Sequence, residues 1–211
     1  MGVEVTTIVN GKWRQNCYVI SNGSETLIVD PGSDAAEIAA VAEADGHQPL
    51  AILNTHAHYD HVGAVADLMD QYGAPFYLHG ADEQLLKRAN LYRIVFEGRD
   101  PVRIPAITHD ISKLPATFPI GPFSITWLAT PGHTAGSVCL LVDGHLFSGD
   151  TLMRGAVGRT DLPGGDRNRI LASIQRLAEL PPDTVVCGGH GPRSTLGEEF
   201  SAGAPVWRLL Q

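Results

Sequence analysis

The sequence predicts an α/β fold in which a β-sheet is covered by helices, rather than an all-β barrel. Short apolar runs typical of buried strands, such as residues 50–53, alternate with segments whose apolar residues recur at helical spacing, such as 62–72. Side chains that commonly bind metals also gather in loops directly after several of the apolar runs. Sheet proteins collect their functional sites at such loops, so the second observation supports the same fold class.

Composition and charge are those of an ordinary globular chain. The 211 residues suffice for one substantial core, and we expect residues 1–211 to form a single domain. The formal net charge is −8 and Lys and Arg form no run, which argues against a nucleic-acid or anionic-membrane surface. No apolar stretch approaches the roughly 20 residues of a membrane span, and the N-terminus shows no secretory signal. Three widely spaced cysteines form no disulfide framework, so we expect a reducing, cytoplasmic setting.

The first half of the chain shows strands followed by helices. Asn10-Gly11 is typical of a hairpin turn between the first two strands. Ser33 is expected to cap the first helix, which runs to Gly46. The predicted strands are residues 3–9, 16–20, 26–29, 50–53 and 76–78. The predicted helices are residues 33–46, 62–72 and 82–89.

The second half begins with a segment, residues 91–119, that contains four prolines and shows no period. Loops of this length are usually functional covers or mobile segments, so no helix or strand is predicted there. A later helix, residues 166–180, has Ile170, Ile174 and Leu177 on one face. The remaining predicted strands are residues 123–129, 138–142, 145–147 and 184–187.

The loop after strand 50–53 holds the densest group of potential metal ligands. Side chains alternate in direction along an extended chain, so His56 and His58 are expected to point to the same side. A turn before the next helix directs Asp60 and His61 toward a second point. Polar groups packed this densely are costly to bury without partners, which favours a binuclear metal site over structural histidines. Imidazole and carboxylate ligands suit zinc or non-haem iron.

Three later loops at strand ends each offer one further ligand: His133, Asp150 and His190. Asp30, at the end of strand 26–29, has two interpretations from sequence. It is either a turn former before proline or a carboxylate that orients the histidine loop, since metal-bound imidazoles usually donate their other N–H to such a group. The other histidines lack a strand-end context and are expected to be structural or surface residues: His47, His79, His109 and His145.

Taken together, the motifs resemble a known family. His-x-His-x-Asp-His, then Pro-Gly-His-Thr, Ser-Gly-Asp and Gly-His-Gly, are similar in kind and order to the motifs of the metallo-β-lactamase fold, from about residue 16 to residue 192. The resemblance implies an αββα sandwich, with two mixed β-sheets flanked by helices and the site at one edge between the sheets. It also implies the ligand sets: His56, His58 and His133 for one metal, Asp60, His61 and His190 for the other, and Asp150 bridging both.

Within that superfamily the pattern is most similar to the short, single-domain form of glyoxalase II, the hydroxyacylglutathione hydrolases. Residues 158–166 and 190–199 carry this likeness. It implies hydrolysis of a small-molecule thioester with two divalent metal ions, zinc in the first place and iron or manganese as alternatives. Such ions lower the pKa of a water and polarise a carbonyl. Asp60, besides being a ligand, is a candidate to accept the proton of that water.

The residues that correspond to the glutathione-binding motif of long glyoxalase II enzymes differ in this sequence. Where long glyoxalase II enzymes have Lys-x-Tyr for the thiol carrier, this sequence has Arg159-Thr160-Asp161. Arg159 keeps a cation and is the expected substrate contact, while the tyrosine is replaced by an acid. The sequence also ends shortly after Pro192, without the basic helical region of the long enzymes. Weak recognition of glutathione is therefore expected.

Three other functions compete with thioester hydrolysis. A persulfide dioxygenase resembles this chain in fold and would use a single iron and consume oxygen. A lactonase or phosphodiesterase of the same fold is a further alternative. A zinc-stabilised scaffold without catalysis is the non-enzymatic alternative, and it predicts that some ligand has been lost. Because all seven ligand positions are occupied by ligand-type residues, the hydrolase is favoured.

Overall fold

Two six-stranded β-sheets form the centre of the protein. A computed structural model describes residues 2–98 and 100–211, apart from the side chain of Asp45. The first sheet comprises β1 (Glu4–Asn10), β2 (Gln15–Asn22), β3 (Glu25–Val29), β4 (Gln48–Leu53), β5 (Phe76–Leu78) and β6 (His109–Asp110). These strands lie side by side in chain order, antiparallel from β1 to β3 and parallel from β3 to β6.

The second sheet is also mixed. It comprises β7 (Thr117–Ile120), β8 (Phe123–Ala129), β9 (Val138–Val142), β10 (His145–Gly149), β13 (Val185–Gly188) and β14 (Ser194–Thr195). Its spatial order is β14-β13-β10-β9-β8-β7, and β10 pairs with β13 in parallel while the other neighbours are antiparallel. Two short strands, β11 (Leu152–Met153) and β12 (Ala156–Val157), form a separate hairpin.

Helices cover the outer face of each sheet. On the side of the first sheet lie α1 (Ala35–Ala42), α2 (Tyr59–Val62), α3 (Val65–Tyr72), α4 (Glu83–Lys87) and α5 (Ala89–Glu97). On the side of the second lie α6 (Arg167–Leu177), α7 (Leu196–Glu199) and α8 (Pro205–Leu209). No helix in residues 2–98 and 100–211 combines the length and the apolar character needed to cross a membrane.

The side chains of the strands alternate between two cores, which explains the layers. In β2, Tyr18 and Ile20 face the core between the two sheets, whereas Cys17 and Val19 face the core beneath the helices. Successive side chains of a strand point to opposite faces, so a strand buried on both faces is apolar throughout. The predicted αββα sandwich with two mixed sheets is confirmed.

Two helix predictions need correction. Ser33 does not cap the first helix; Asp34, in a left-handed conformation, is the N-cap, and α1 ends at Ala42 rather than at Gly46. The predicted helix 62–72 is two helices, α2 and α3, with a break at Gly63. At the break, the amide of Ala64 donates to the carbonyl of Pro31 at 3.0 Å, which takes it out of the helical hydrogen-bond ladder.

The segment 91–119 is more regular than predicted, because α5 extends into it as far as Glu97 and β6 and β7 follow. The sequence carries a helical period in α5, but its apolar residues do not mark a buried face, since Tyr92 and Phe96 line a cavity while Leu91, Ile94 and Val95 are exposed. Pro119 is compatible with β7 because β7 is an edge strand, where a missing N–H is tolerated.

Candidate metal centre

Four loops at strand ends bring all seven predicted ligands to one point between the sheets. The loop after β4 and the start of α2 supply four of them, and the loops after β8, β10 and β13 supply the others. Three groups of three side chains have ligand atoms within 4.8 Å of one another: His56, His58 and His133; Asp60, His61 and His190; and a third that combines Asp30 with His56 and His61. The first two groups are those that follow from the motif resemblance.

Asp150 lies between the two groups. Its Oδ2 is 3.5 Å from Nε2 of His133, a member of the first group. Its Oδ1 is 3.6 Å from Nε2 of His61 and 3.7 Å from Nε2 of His190, both members of the second group. One carboxylate therefore directs a separate oxygen toward each group, which is the arrangement of a bridging ligand.

The donor atoms are suited to metal ions. Of the eight buried side-chain polar atoms that have no hydrogen-bond partner among the described residues, three belong to predicted ligands, namely Nε2 of His56, Nε2 of His61 and Oδ1 of Asp150. Buried polar atoms normally have partners, so their grouping at one point fits a site that binds cations. Burial, followed by the neighbouring His133, lowers the pKa of His58 to about 3. This keeps the imidazole neutral, which is the form that binds metals.

The carboxylates around the second group favour a cation there. Burial alone would lower the pKa of His61, but the nearby Asp60, with Asp30 and Asp150, outweighs it and raises that pKa to about 10. Conversely, burial acts to raise the pKa of Asp60, and His61 and His190 reverse this and lower it. The site stabilises positive charge, whether carried by a proton or by a metal ion.

Asp30 precedes Pro31 in a left-handed backbone conformation and faces the histidine loop. Its φ is 52°, and its carboxylate accepts from the amide of Thr55 at 2.8 Å and from the Thr55 hydroxyl at 2.7 Å. Its Oδ2 is also 3.3 Å from Nδ1 of His61. The Thr55 hydroxyl in turn lies 3.0 Å from Nδ1 of His56. Asp30 thus fixes the start of the histidine loop and the ring of one predicted ligand.

Asp82 was missed by sequence reasoning. It is 1% exposed, and its carboxylate accepts from the amides of Ala57 at 3.1 Å and Gly136 at 2.7 Å and from the Thr134 hydroxyl at 2.7 Å. These partners flank His58 and His133, so one buried carboxylate joins the two loops of the first group. An acid at the start of a predicted helix is ordinarily a cap, and nothing else in the sequence distinguishes Asp82.

We expect Asp82→Ala to lower the free energy of unfolding by about 2 kcal/mol or more, because the amides of Ala57 and Gly136 are left without an acceptor at about 1–3 kcal/mol each, while the Thr134 hydroxyl keeps Ser137 as a partner. Urea unfolding of the metal-loaded protein measures the effect. The control is Asp110→Ala, which removes hydrogen bonds at the more exposed Gly80 and Ser112, where water can replace the carboxylate. Equal losses in the two variants would contradict the linking role of Asp82.

Glycines allow the loops to approach this closely. A Cβ on Gly189 would overlap Oδ1 of Asp150 and crowd the ring of His61. A Cβ on Gly158 would likewise crowd the ring of His133, whose Nδ1 is 2.8 Å from the carbonyl oxygen of Arg159. The glycine-rich composition of the strand-end loops is therefore a packing requirement of the centre.

A cavity of about 390 Å³ opens beside the ligands, and Arg159 lines it. The guanidinium of Arg159 is engaged with Asp161, with Nε–Oδ1 and Nη2–Oδ2 distances of 2.8 and 2.7 Å. Both side chains are exposed. Arg159, the expected substrate contact, lies at the cavity, and its charge is balanced by Asp161.

The fold and this centre define a class: metal-dependent enzymes built on an αββα sandwich. The family model of the metallo-beta-lactamase superfamily matches residues 10–190. The chain belongs to the metallo-β-lactamase superfamily. The YqgX protein of Bacillus subtilis (strain 168), described as a probable metallo-hydrolase, is 38% identical over 195 residues, covering 87% of this chain and 92% of that protein.

Other relatives carry more specific names. The hydroxyacylglutathione hydrolase of Xanthomonas campestris pv. campestris (strain B100) is 35% identical over 172 residues, covering 82% of this chain and 58% of that enzyme. The crystal structure of the BLEG-1 B3 metallo-β-lactamase is similar with a TM-score of 0.89 and 36% identity, covering 96% of this chain and 99% of that one. The di-iron-bound form of TTHA1623 is similar with a TM-score of 0.83 and 39% identity, covering 93% and 97%.

Proposed function

We propose that this chain is a binuclear metal-dependent thioester hydrolase of the hydroxyacylglutathione hydrolase type. The observation that carries the proposal is Asp150, which directs one oxygen to each of two ligand groups. The first metal would be held by His56, His58 and His133 and the second by Asp60, His61 and His190, with Asp150 shared. Zinc is proposed first, and the di-iron form of TTHA1623 makes iron the main alternative.

Two bound cations would acidify a water and polarise the substrate carbonyl. The chain's own residues place the substrate in the cavity, whose wall includes Asp60, Asp150 and His190. Because His61 and His190 lower the pKa of Asp60, its carboxylate is a weaker base than usual. We therefore propose that Asp60 acts chiefly as a ligand, and its role as proton acceptor stays a prediction.

Thioesters suit this site because a thiolate leaves without protonation by a strong acid. Among the described residues that line the cavity, no carboxylic acid or histidine lies outside the ligand groups, and the remaining proton donors are the weakly acidic Tyr59 and Tyr92. The 35% identical hydroxyacylglutathione hydrolase supports the same reaction class. The test is steady-state hydrolysis of S-lactoylglutathione by the metal-loaded protein. No hydrolysis of any thioester would remove this function.

The Arg159–Asp161 pair gives a sharper prediction. Exposed ion pairs are worth about 0–1 kcal/mol, so Arg159 can exchange Asp161 for a substrate carboxylate at small cost. We expect Asp161→Asn to lower the KM for S-lactoylglutathione a few-fold and Arg159→Ala to raise it by at most about fivefold, because an exposed ion pair with a substrate carboxylate is worth about 0–1 kcal/mol. The matched control is the lactoyl thioester of N-acetylcysteamine, which lacks carboxylates and should respond to neither variant.

Hydrolysis of β-lactams is a second candidate, favoured by the 36% identity to the BLEG-1 B3 metallo-β-lactamase over 96% of this chain. A chromogenic cephalosporin measured beside the thioesters compares the two activities directly. Oxygen uptake with a persulfide substrate tests the dioxygenase alternative in the same preparation. A kcat/KM for either reaction above that for every thioester would displace the proposed function.

A further inference from the structure

The cavity beside the metal centre has two chemically different walls. One wall consists of the predicted ligands, including Asp60, Asp150 and His190. The other part of the lining is largely apolar and includes four aromatic rings and two aliphatic side chains: Trp13, Tyr59, Tyr92, Phe96, Met153 and Leu162. A substrate whose carbonyl lies at the ligands must therefore place a neighbouring group against apolar surface.

The aromatic wall is ordered by stacking. The ring of Phe96 is nearly parallel to those of Tyr59 and Tyr92, with centroids 6.1 and 6.3 Å away and interplanar angles of 14° and 10°. Phe96 is nevertheless 38% exposed and Trp13 is 46% exposed. Lys12 joins the hairpin loop carrying Trp13 to the end of α5, since its Nζ donates to the carbonyl oxygen of Phe96 at 3.0 Å. Apolar surface held in place at a site mouth is typical of ligand binding.

Few positive charges are available there for an anionic substrate. Arg159 is the one Lys or Arg among the described residues lining the cavity, and both its Nε and Nη2 donate to Asp161. Lys12, at the rim, is engaged by the carbonyl of Phe96 and lies 5.6 Å from the centroid of the Trp13 ring. The whole chain carries a net charge of −8, which adds no attraction for carboxylates.

We propose that the substrate is a thioester with an uncharged, apolar acyl group, such as an aryl or medium-length alkyl group, and that an anionic thiol carrier is not required. This inference rests on the proposed function and specifies its substrate class. The acyl group would lie against Phe96 and its neighbouring rings. In the reaction one water is consumed, the acyl–sulfur bond breaks with its electron pair remaining on sulfur, and the products are a carboxylate, a thiol and a proton.

The first test measures binding without hydrolysis, by calorimetry on the metal-loaded protein. The probes are four thioethers: the S-methyl and S-hexyl derivatives of glutathione and of N-acetylcysteamine. Any contribution of a sulfur–metal contact to the affinity is common to all four probes and cancels when they are compared. Burial of each methylene strengthens binding about fourfold, so the hexyl probes should bind at least about tenfold more tightly than the methyl probes on both carriers. The two carriers should differ less than that.

Variants assign the preference to the aromatic wall. Phe96→Ala should reduce the hexyl advantage by about threefold or more and leave the methyl probes within about twofold, because only the longer group reaches the ring. Leu91→Ala, on the same helix but 57% exposed and outside the cavity lining, is the matched control and should change neither. Equal binding of methyl and hexyl probes, or a glutathione advantage larger than the hexyl advantage, would overturn the inference.

The second test separates this inference from the proposed function. Acetyl and hexanoyl thioesters of N-acetylcysteamine are compared by kcat/KM, and we expect hexanoyl to exceed acetyl by at least about tenfold. Equal values would overturn the inference and leave thioester hydrolysis in place. If the hexyl probes bind more tightly but no thioester is hydrolysed, the proposed function is wrong, while the preference of the cavity for apolar groups is retained.

Discussion

Asp150→Ala is expected to remove both metals from the protein and to abolish hydrolysis. The variant loses the one side chain that lies 3.5 Å from His133 and 3.6 Å from His61, and so weakens both ligand groups at once. His190→Ala should instead empty the second site and spare the first, whose three histidines are intact. Residues that merely orient ligands cost about 10–100-fold in affinity or activity, and loss of the shared ligand should exceed this.

Elemental analysis of the purified variants, together with thioester hydrolysis, measures this effect. The control is Asp183→Ala, which should retain both metals. Asp183 is exposed, and of the predicted ligand loops only the one that carries His190 is near it in sequence. If Asp150→Ala protein carries its full metal complement, the bridging assignment is wrong. If His190→Ala loses both metals, the two groups do not bind independently.

Chelation is expected to lower the melting temperature by about 8–16 °C for each metal lost. A metal bound by the folded state alone adds about 4 kcal/mol at a thousandfold excess over its Kd, and for a chain of this size about 1 kcal/mol shifts the melting temperature by roughly 2–4 °C. The structure gives the reason. In metal-free protein, buried atoms such as Nε2 of His56 and Oδ1 of Asp150 would have no partner. The hydrogen bond between Nδ1 of His58 and Nε2 of His133, at 2.8 Å, would compensate for this only in part.

The melt is followed by calorimetry after metal removal is verified, and re-addition of zinc or iron should restore the original temperature. His190→Ala provides a matched intermediate, with about half of the shift on chelation. An unchanged melt of verified metal-free protein would show that the ligand loops hold together through their own contacts, such as those of Asp30 and Asp82.

Much of the centre could be predicted from sequence because its ligands follow apolar strands directly. His56 comes shortly after β4, and Asp150 immediately follows β10, so local patterning places both at strand ends. Asp82 could not be found in this way, since its partners Ala57 and Gly136 lie far away in the chain. The ion pair between Arg159 and Asp161 could not be predicted either, because it depends on the directions of the two side chains, which the sequence does not give.

The errors in the helices have the same origin. A continuous helical period predicted one helix at 62–72, but a long-range contact decided otherwise, because Gly63 packs against the backbone of Gly32. In α5 the helical period is present, but its apolar residues are divided between the cavity wall at Phe96 and the solvent-exposed side at Val95, so the pattern does not identify a buried face. The helical periodicity of apolar residues distinguishes a face toward the core from a face toward solvent. It does not identify residues that face a third environment, such as a substrate cavity.

The distribution of ligands over the two sheets has a consequence for the order of events during synthesis. When the first sheet has left the ribosome, with its last strand at Asp110, four of the seven ligands exist, and none of the loops that complete either group has been made. His133 then completes the first group, Asp150 joins it, and His190 completes the second only when β13 has emerged. Metal uptake is thereby linked to docking of the second sheet on the first, and a nascent chain arrested before residue 190 should capture at most one ion.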